Sequence, residues 1–312
     1  MILLFAGAAF TLHAGRSPAP PAQAASGPGG ATYLHQAVVE NVYGSCGLQY
    51  RIYEPSQPQP SSAPVVAFLH GWGVLEPGVY LPWITHLVRR GNIVVYPQYQ
   101  ANRKTLSPQF TPNAVQALLD ACARLLDGTH VAPDFTRFAL VGHSAGGMIA
   151  ANLAAVAARH GLPEPRALMA AEPGNSCAET VGCVPSADYS AIPAGILLLT
   201  VAGDRDTVVG TNEAQWIYSS ASQVPGANKN YILLRSDTHG TPDLLASHGA
   251  PTDQPLNAFD YYAFWKWFDG LTDAAFWGLN RQYALGNTPE QRWLGSWSDG
   301  VAVVEPIVTA GP

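Results

Sequence analysis

The stretch "LVGHSAGGMIAANLAA", Leu140 to Ala155, decides the fold. An apolar run, Phe138 to Val141, halts at Gly142-His143-Ser144-Ala145-Gly146-Gly147, and an alanine-rich helical pattern starts at once. A chain that turns from strand to helix this abruptly leaves no room for side chains beside the turn residue, hence Gly142, Ala145 and Gly146 around Ser144. The turn lifts the Ser144 hydroxyl clear of the sheet. It also aims the free N–H groups of a helix N-terminus at whatever the serine attacks. Ser144 is therefore the candidate nucleophile and the Ala145 N–H a candidate donor to developing negative charge. His143, the variable residue of the turn, reads as packing rather than acid–base chemistry.

Working outward, β-rich runs at Ala37–Val42 and Leu48–Tyr53 flank a Gly-containing turn and predict an opening hairpin. Apolar strands are expected at Pro64–Leu69, Asn92–Tyr96, Arg166–Ala171, Gly195–Val201 and Tyr231–Leu234. Helices are expected at Leu81–Arg90, Asn113–Leu126, Ser144–Arg159, Glu213–Ala221 and, rich in aromatics, near Ala258–Phe268. Alternation of this kind means βαβ units and a mostly parallel sheet with helices on both faces. Reactive groups of such sheets collect at the carboxyl ends of strands, which gives a test for every candidate.

His70-Gly71-Trp72-Gly73 follows the strand ending at Leu69, and a Gly-rich turn there can offer a second backbone donor, assigned to Trp72. His70 reads as a brace of that loop. A serine nucleophile needs a base, and the base a carboxylate to hold its tautomer. After the strand ending near Val201 comes Gly203-Asp204-Arg205-Asp206, where Asp206 is preferred over Asp204, a turn former. After Tyr231–Leu234 comes Asp237-Thr238-His239-Gly240; His239 is the expected base, with His248 the alternative a short helix further on. The order Ser144, Asp206, His239 suits this scaffold.

On these residues, HGWG at 70–73, GHSAGG at 142–147, GDRD at 203–206 and DTHG at 237–240, the chain resembles the α/β-hydrolases. Within them it is similar to the single-domain serine esterases and lipases related to chlorophyllase-like and polyester-degrading enzymes. The resemblance spans residues 36 to about 270. It implies an eight-stranded, mostly parallel sheet with an antiparallel second strand, Ser144, Asp206 and His239 as nucleophile, acid and base, and no cofactor. Residues from Leu271 onward have no assigned counterpart and read as a C-terminal extension of a single domain covering 36–312.

Composition bounds the rest. A formal net charge of −6 and no Lys/Arg cluster argue against nucleic acid as a partner. The apolar stretch Met1–Gly15 is too short to span a bilayer, and no later run reaches that length. With the small-residue and proline segment after it, it reads as a secretory signal cleaved after Ala24, then a flexible linker over 25–35. Four cysteines fit an oxidising compartment. Cys177 and Cys183 flank a short polar loop and are expected to pair, Cys46 sits in the hairpin turn, and Cys122 lies on an apolar helical stripe. Trp72, Tyr80, Trp83, Tyr96 and Tyr99 lie near strand ends, and Trp72, Tyr80 and Tyr99 are the candidate substrate contacts. The expected activity is secreted hydrolysis of small or polymeric carboxylic esters through an acyl-enzyme, with a peptidase or amidase, or a non-catalytic binding protein, as the rival readings.

Overall fold

The apolar runs assemble into one nine-stranded sheet of order β1-β2-β4-β3-β5-β6-β7-β8-β9. The computed structural model describes residues 17–45, 47–174, 183–252 and 255–310. β1 (Ala37–Tyr43) and β2 (Tyr50–Ser56) are the antiparallel hairpin the sequence predicts, and β2 pairs antiparallel with β4 (Ile93–Pro97). β3 (Ser62–Leu69), β4, β5 (Ala132–His143), β6 (Pro165–Ala171), β7 (Leu197–Gly203) and β8 (Lys229–Leu234) run parallel. The expected α/β-hydrolase sheet accounts for eight strands. The ninth, β9 (Ile307–Ala310), comes from the C-terminal segment and lies antiparallel on β8.

Successive residues of a strand face opposite sides, so an unbroken apolar run feeds two cores. In β3, Val65, Ala67 and Leu69 join the core beneath α2 (Phe110–Leu125) and α3 (Ala145–His160), while Val66 and Phe68 join the core beneath α1 (Leu81–Arg89) and α5 (Trp265–Trp277). The shorter α4 (Asn212–Ser220) adds Ile217 to the first of these. α3 is buried almost all round, which its alanines permit, and it ends at Gly161 in the left-handed conformation. The aromatic-rich helix starts with a π-helical turn at Asp260–Phe264 and runs on to Trp277, beyond its expected end.

Both chain ends pack against the folded body. Residues 17–24, read as the end of a signal, and 25–35, read as linker, both bond to the folded body: Pro18 and Ala19 carbonyls accept from Thr241 and Ser298 N–H, Tyr261 donates to the Pro21 carbonyl, and the Gly29 N–H donates to buried Asp269 at 2.7 Å. Small and proline residues read as linker because they carry little to bury, but their carbonyls and rings fit a groove against α5 and the C-terminal segment. Residues 1–16, which hold the apolar part of the expected signal, lie outside the described residues. The C-terminal segment packs through Leu285, Leu294, Trp297 and Val303. Lys266 fastens it from within by donating to the carbonyls of Glu290, Gln291 and Trp293.

Candidate active site

The loops leaving β3, β5, β6, β7 and β8 converge over the carboxyl edge of the sheet. At the end of β5, Ser144 stands at φ 57°, ψ −128°, a strained conformation for a residue with a side chain. Steric limits explain its glycines. A Cβ on Gly142 would lie 2.1 Å from the Gly146 carbonyl oxygen, and one on Gly146 would lie 2.1 Å from that of Leu69. The serine is held by its N–H to the Ala171 carbonyl (3.1 Å) and by its carbonyl accepting from Gly174 N–H (2.8 Å).

The turn after β3 passes beside it, with a Cβ built on Gly71 3.4 Å from Ser144 Cβ. Gly71 N–H donates to the Tyr80 hydroxyl (2.9 Å) and Gly73 N–H to Gln100 (2.8 Å), whereas the Trp72 N–H between them donates to no acceptor among the described residues. The Ala145 N–H, first of α3, has no acceptor inside its helix. His70 is a brace, as expected. It is fully buried, stacked on Tyr99 at 4.0 Å, and burial pushes its pKa down to about 4.

Asp206 lies in the turn after β7. Its Oδ1 accepts from Val208 and Val209 N–H at 2.9 and 3.0 Å, and its Oδ2 meets His248 Nδ1 at 2.8 Å. His248 Nε2 lies 2.9 Å from Ser144 Oγ. Asp204 points elsewhere and accepts from the Ser236 N–H and hydroxyl at 3.0 and 2.6 Å.

The structure therefore brings His248, not His239, to Ser144. His239 turns outward onto Asp299 (2.8 Å), with its ring edge-on to Trp297. Neighbouring Asp237 accepts from Trp297 Nε1 and from the N–H groups of Val304 and His239. The C-terminal segment thus claims the first half of the β8 loop. The chain then returns along β7, where Arg205 N–H donates to the Ala246 carbonyl (3.0 Å), and this sets His248 beside Asp206.

His143 ties the loops together. Its Nδ1 accepts from the Tyr80 hydroxyl (2.8 Å), and its Nε2–H donates to the His248 carbonyl (2.8 Å). Desolvation holds its pKa down to about 4, so it is a neutral link from the Gly71 turn through Tyr80 to the His248 loop. The sequence reading missed one residue here, Glu172. It directly follows the apolar run of β6, so the same strand-end test would have found it. It is fully buried at φ 45°, with Oε2 3.6 Å from His143 Nε2 and 4.0 Å from His248 Nδ1.

A cavity of about 500 Å³ opens over Ser144, walled by Trp72, Val74, Val79, Val208 and Val209, with Tyr80 and Cys183 also at its edge. A larger one of about 620 Å³, between residues 24–28 and the C-terminal segment, contains none of Ser144, Asp206 or His248. Of the expected substrate contacts, Trp72 faces the cavity with its ring partly exposed, and Tyr80 reaches it while its hydroxyl is spent on Gly71 and His143. Tyr99 does not line it: it is fully buried and donates to the His70 carbonyl at 2.5 Å. Trp83 and Tyr96 are core residues. Cys122 is a free, half-buried thiol whose pKa burial pushes up to about 12, and Cys177 and Cys46 lie outside the described residues.

Residues 43–187 match the family model described as chlorophyllase. That span holds the β3 turn and the Ser144 elbow, and ends before Asp206 and His248. No curated protein matches the chain. With the nine-stranded sheet, the match bears out the resemblance to chlorophyllase-like α/β-hydrolases, and it points to an esterase-type hydrolase.

Proposed function

With a chlorophyllase-like α/β-hydrolase as the premise, we propose that the protein is a serine carboxylic ester hydrolase working through Ser144, His248 and Asp206. One observation carries this reading: the continuous contact from Ser144 Oγ to His248 Nε2 (2.9 Å) and from His248 Nδ1 to Asp206 (2.8 Å). Ser144 attacks the ester carbonyl as His248 takes its proton, and Asp206 stabilises the imidazolium. The N–H groups of Trp72 and Ala145 receive the oxyanion. His248 then protonates the departing alcohol, and water repeats the cycle on the acyl-enzyme. The apolar walls of Trp72, Val79 and Val208 favour an apolar acyl or aryl group beside the serine.

Export is part of the same proposal, supported by the apolar run at Met1–Gly15, and with it a Cys177–Cys183 disulfide at the cavity edge. Reaction with a fluorophosphonate probe, abolished in folded Ser144→Ala, tests the nucleophile. Panels of p-nitrophenyl esters and anilides then separate ester from amide hydrolysis. A folded Ser144→Ala enzyme with near-normal turnover would defeat the mechanism.

A further inference from the structure

We propose that Arg103 makes this site selective for esters that carry a carboxylate at the far end of the acyl chain, the half-esters of dicarboxylic acids. The inference rests on the Ser144–His248–Asp206 reading and adds a substrate class to it.

Three observations carry it. The first is construction. Arg103 sits in the loop between β4 and α2, which bonds to itself: Thr105 Oγ1 accepts from Ala101 N–H (3.0 Å), Asn102 Oδ1 accepts from Lys104 N–H (2.8 Å), and Thr105 N–H donates to the Asn102 carbonyl (3.1 Å). Buried Gln100 ties this loop to the β3 turn by accepting from Gly73 N–H at 2.8 Å. Gly73 stands at φ 74°, and a Cβ there would lie 2.9 Å from Arg103 Nε, so the glycine leaves space for the arginine stem. The second is position. The Arg103 guanidinium lies over the Trp72 ring, 5.6 Å from its centroid, and Trp72 walls the cavity above Ser144. An acyl chain lying along Trp72 and Val79 leaves the cavity beside this cation. The third is charge. Among the described residues no carboxylate pairs with Arg103, and none of those walling the cavity is acidic. The acids closest in the neighbouring loops are engaged elsewhere, Glu76 with Arg51, and Asp206 with Val208, Val209 and His248. The chain holds 16 Lys and Arg against 22 Asp and Glu, so the adjacent cations Arg103 and Lys104 at the rim of an acid-free cavity stand out from a predominantly acidic surface. A guanidinium can hold a carboxylate through two parallel N–H bonds, a geometry that an ammonium does not offer.

The test compares p-nitrophenyl half-esters of adipic, suberic and sebacic acids with the same esters methyl-capped at the free carboxylate, and reads the ratio of kcat/KM within each pair. The wild-type ratio should favour the half-ester for at least one chain length. Raising NaCl from about 10 mM to about 1 M should erode that preference, because the ion pair is screened. Arg103→Gln should lower the ratio ~5- to 10-fold, Arg103→Lys should keep part of it, and Arg103→Glu should push it below the Gln variant by like-charge repulsion. A residue that only steadies Trp72 would slow both esters of a pair alike and leave the ratio unmoved. An unmoved ratio in folded Arg103→Gln and Arg103→Glu, or a wild-type preference insensitive to salt, overturns the proposal. Turnover of neither ester by the folded wild-type protein would instead reject the esterase reading, and the proposal with it.

Discussion

Tyr80→Phe removes one oxygen and no packing volume, and the structure assigns that oxygen two buried partners. Gly71 N–H donates to it at 2.9 Å, and it donates to His143 Nδ1 at 2.8 Å. The ring itself, packed on Phe68 at 5.2 Å between centroids, is kept, so no cavity forms. Each polar group left buried without a partner costs about 1–3 kcal/mol, giving roughly 2–6 kcal/mol together and a fall of several degrees in Tm. The loss has a direction as well as a size. Gly71 fixes the turn that presents the Trp72 N–H, and His143 fixes the His248 carbonyl, so both sides of the reaction centre loosen at once. Displacements near 1 Å at such groups cost ~10²-fold, so kcat should fall ~10- to 100-fold with little change in KM. Thermal unfolding and steady-state ester hydrolysis read the two effects. Wild-type Tm and kcat in Tyr80→Phe would refute the role of this hydroxyl.

Asp269 should be worth more to stability than any surface ion pair. It is buried, meets His86 at 2.8 Å and Arg90 at 3.2 Å, and accepts from Gly29 N–H, so Asp269→Asn should cost roughly 3–5 kcal/mol at neutral pH. Burial pushes its carboxyl up, but His86 and Arg90 outweigh this and hold it below its usual value. Its contribution is therefore present above the ordinary carboxylate range and lost as pH falls. Urea titrations should show the wild-type advantage over Asp269→Asn shrinking as pH falls below the ordinary carboxylate range. Peptide mapping of the exported protein without reductant should recover Cys177 linked to Cys183, closing a loop worth roughly 2 kcal/mol; two free thiols would reject the pair. Sequencing the mature N-terminus should find residues 18–22 retained, because Pro18, Ala19 and Pro21 bond to the folded body; a start at Ala25 would contradict this.

What was legible in the sequence lay within a few residues of a strand end. The elbow, the β3 turn and Asp206 each directly follow an apolar run, and local sterics fix them: the 2.1 Å approaches at Gly142 and Gly146 are written in the glycines themselves. The histidine was not legible because its place depends on distant chain. His239 stands in the expected spot after β8, yet Asp299 and Trp297, some sixty residues later, take it, and the loop delivers His248 on its way back. The aromatic residues failed for a related reason. Sequence puts Tyr99 near a strand end but not which side of the loop its ring faces, and stacking beneath His70 buries it. Residues 25–35 read as linker because composition reports what a segment cannot bury alone, not the groove that α5 and the C-terminal segment offer it.

The central claim, that His248 activates Ser144, is tested most directly by His248→Gln beside His239→Gln, each checked for wild-type circular dichroism. Fluorophosphonate labelling of Ser144 and ester turnover are then measured on both. His248→Gln should lose labelling and at least ~10³-fold in turnover, since nucleophile and base act as a unit, while His239→Gln, on its outward contact with Asp299, should keep both within a few-fold. Labelling retained in His248→Gln and lost in His239→Gln would contradict the account.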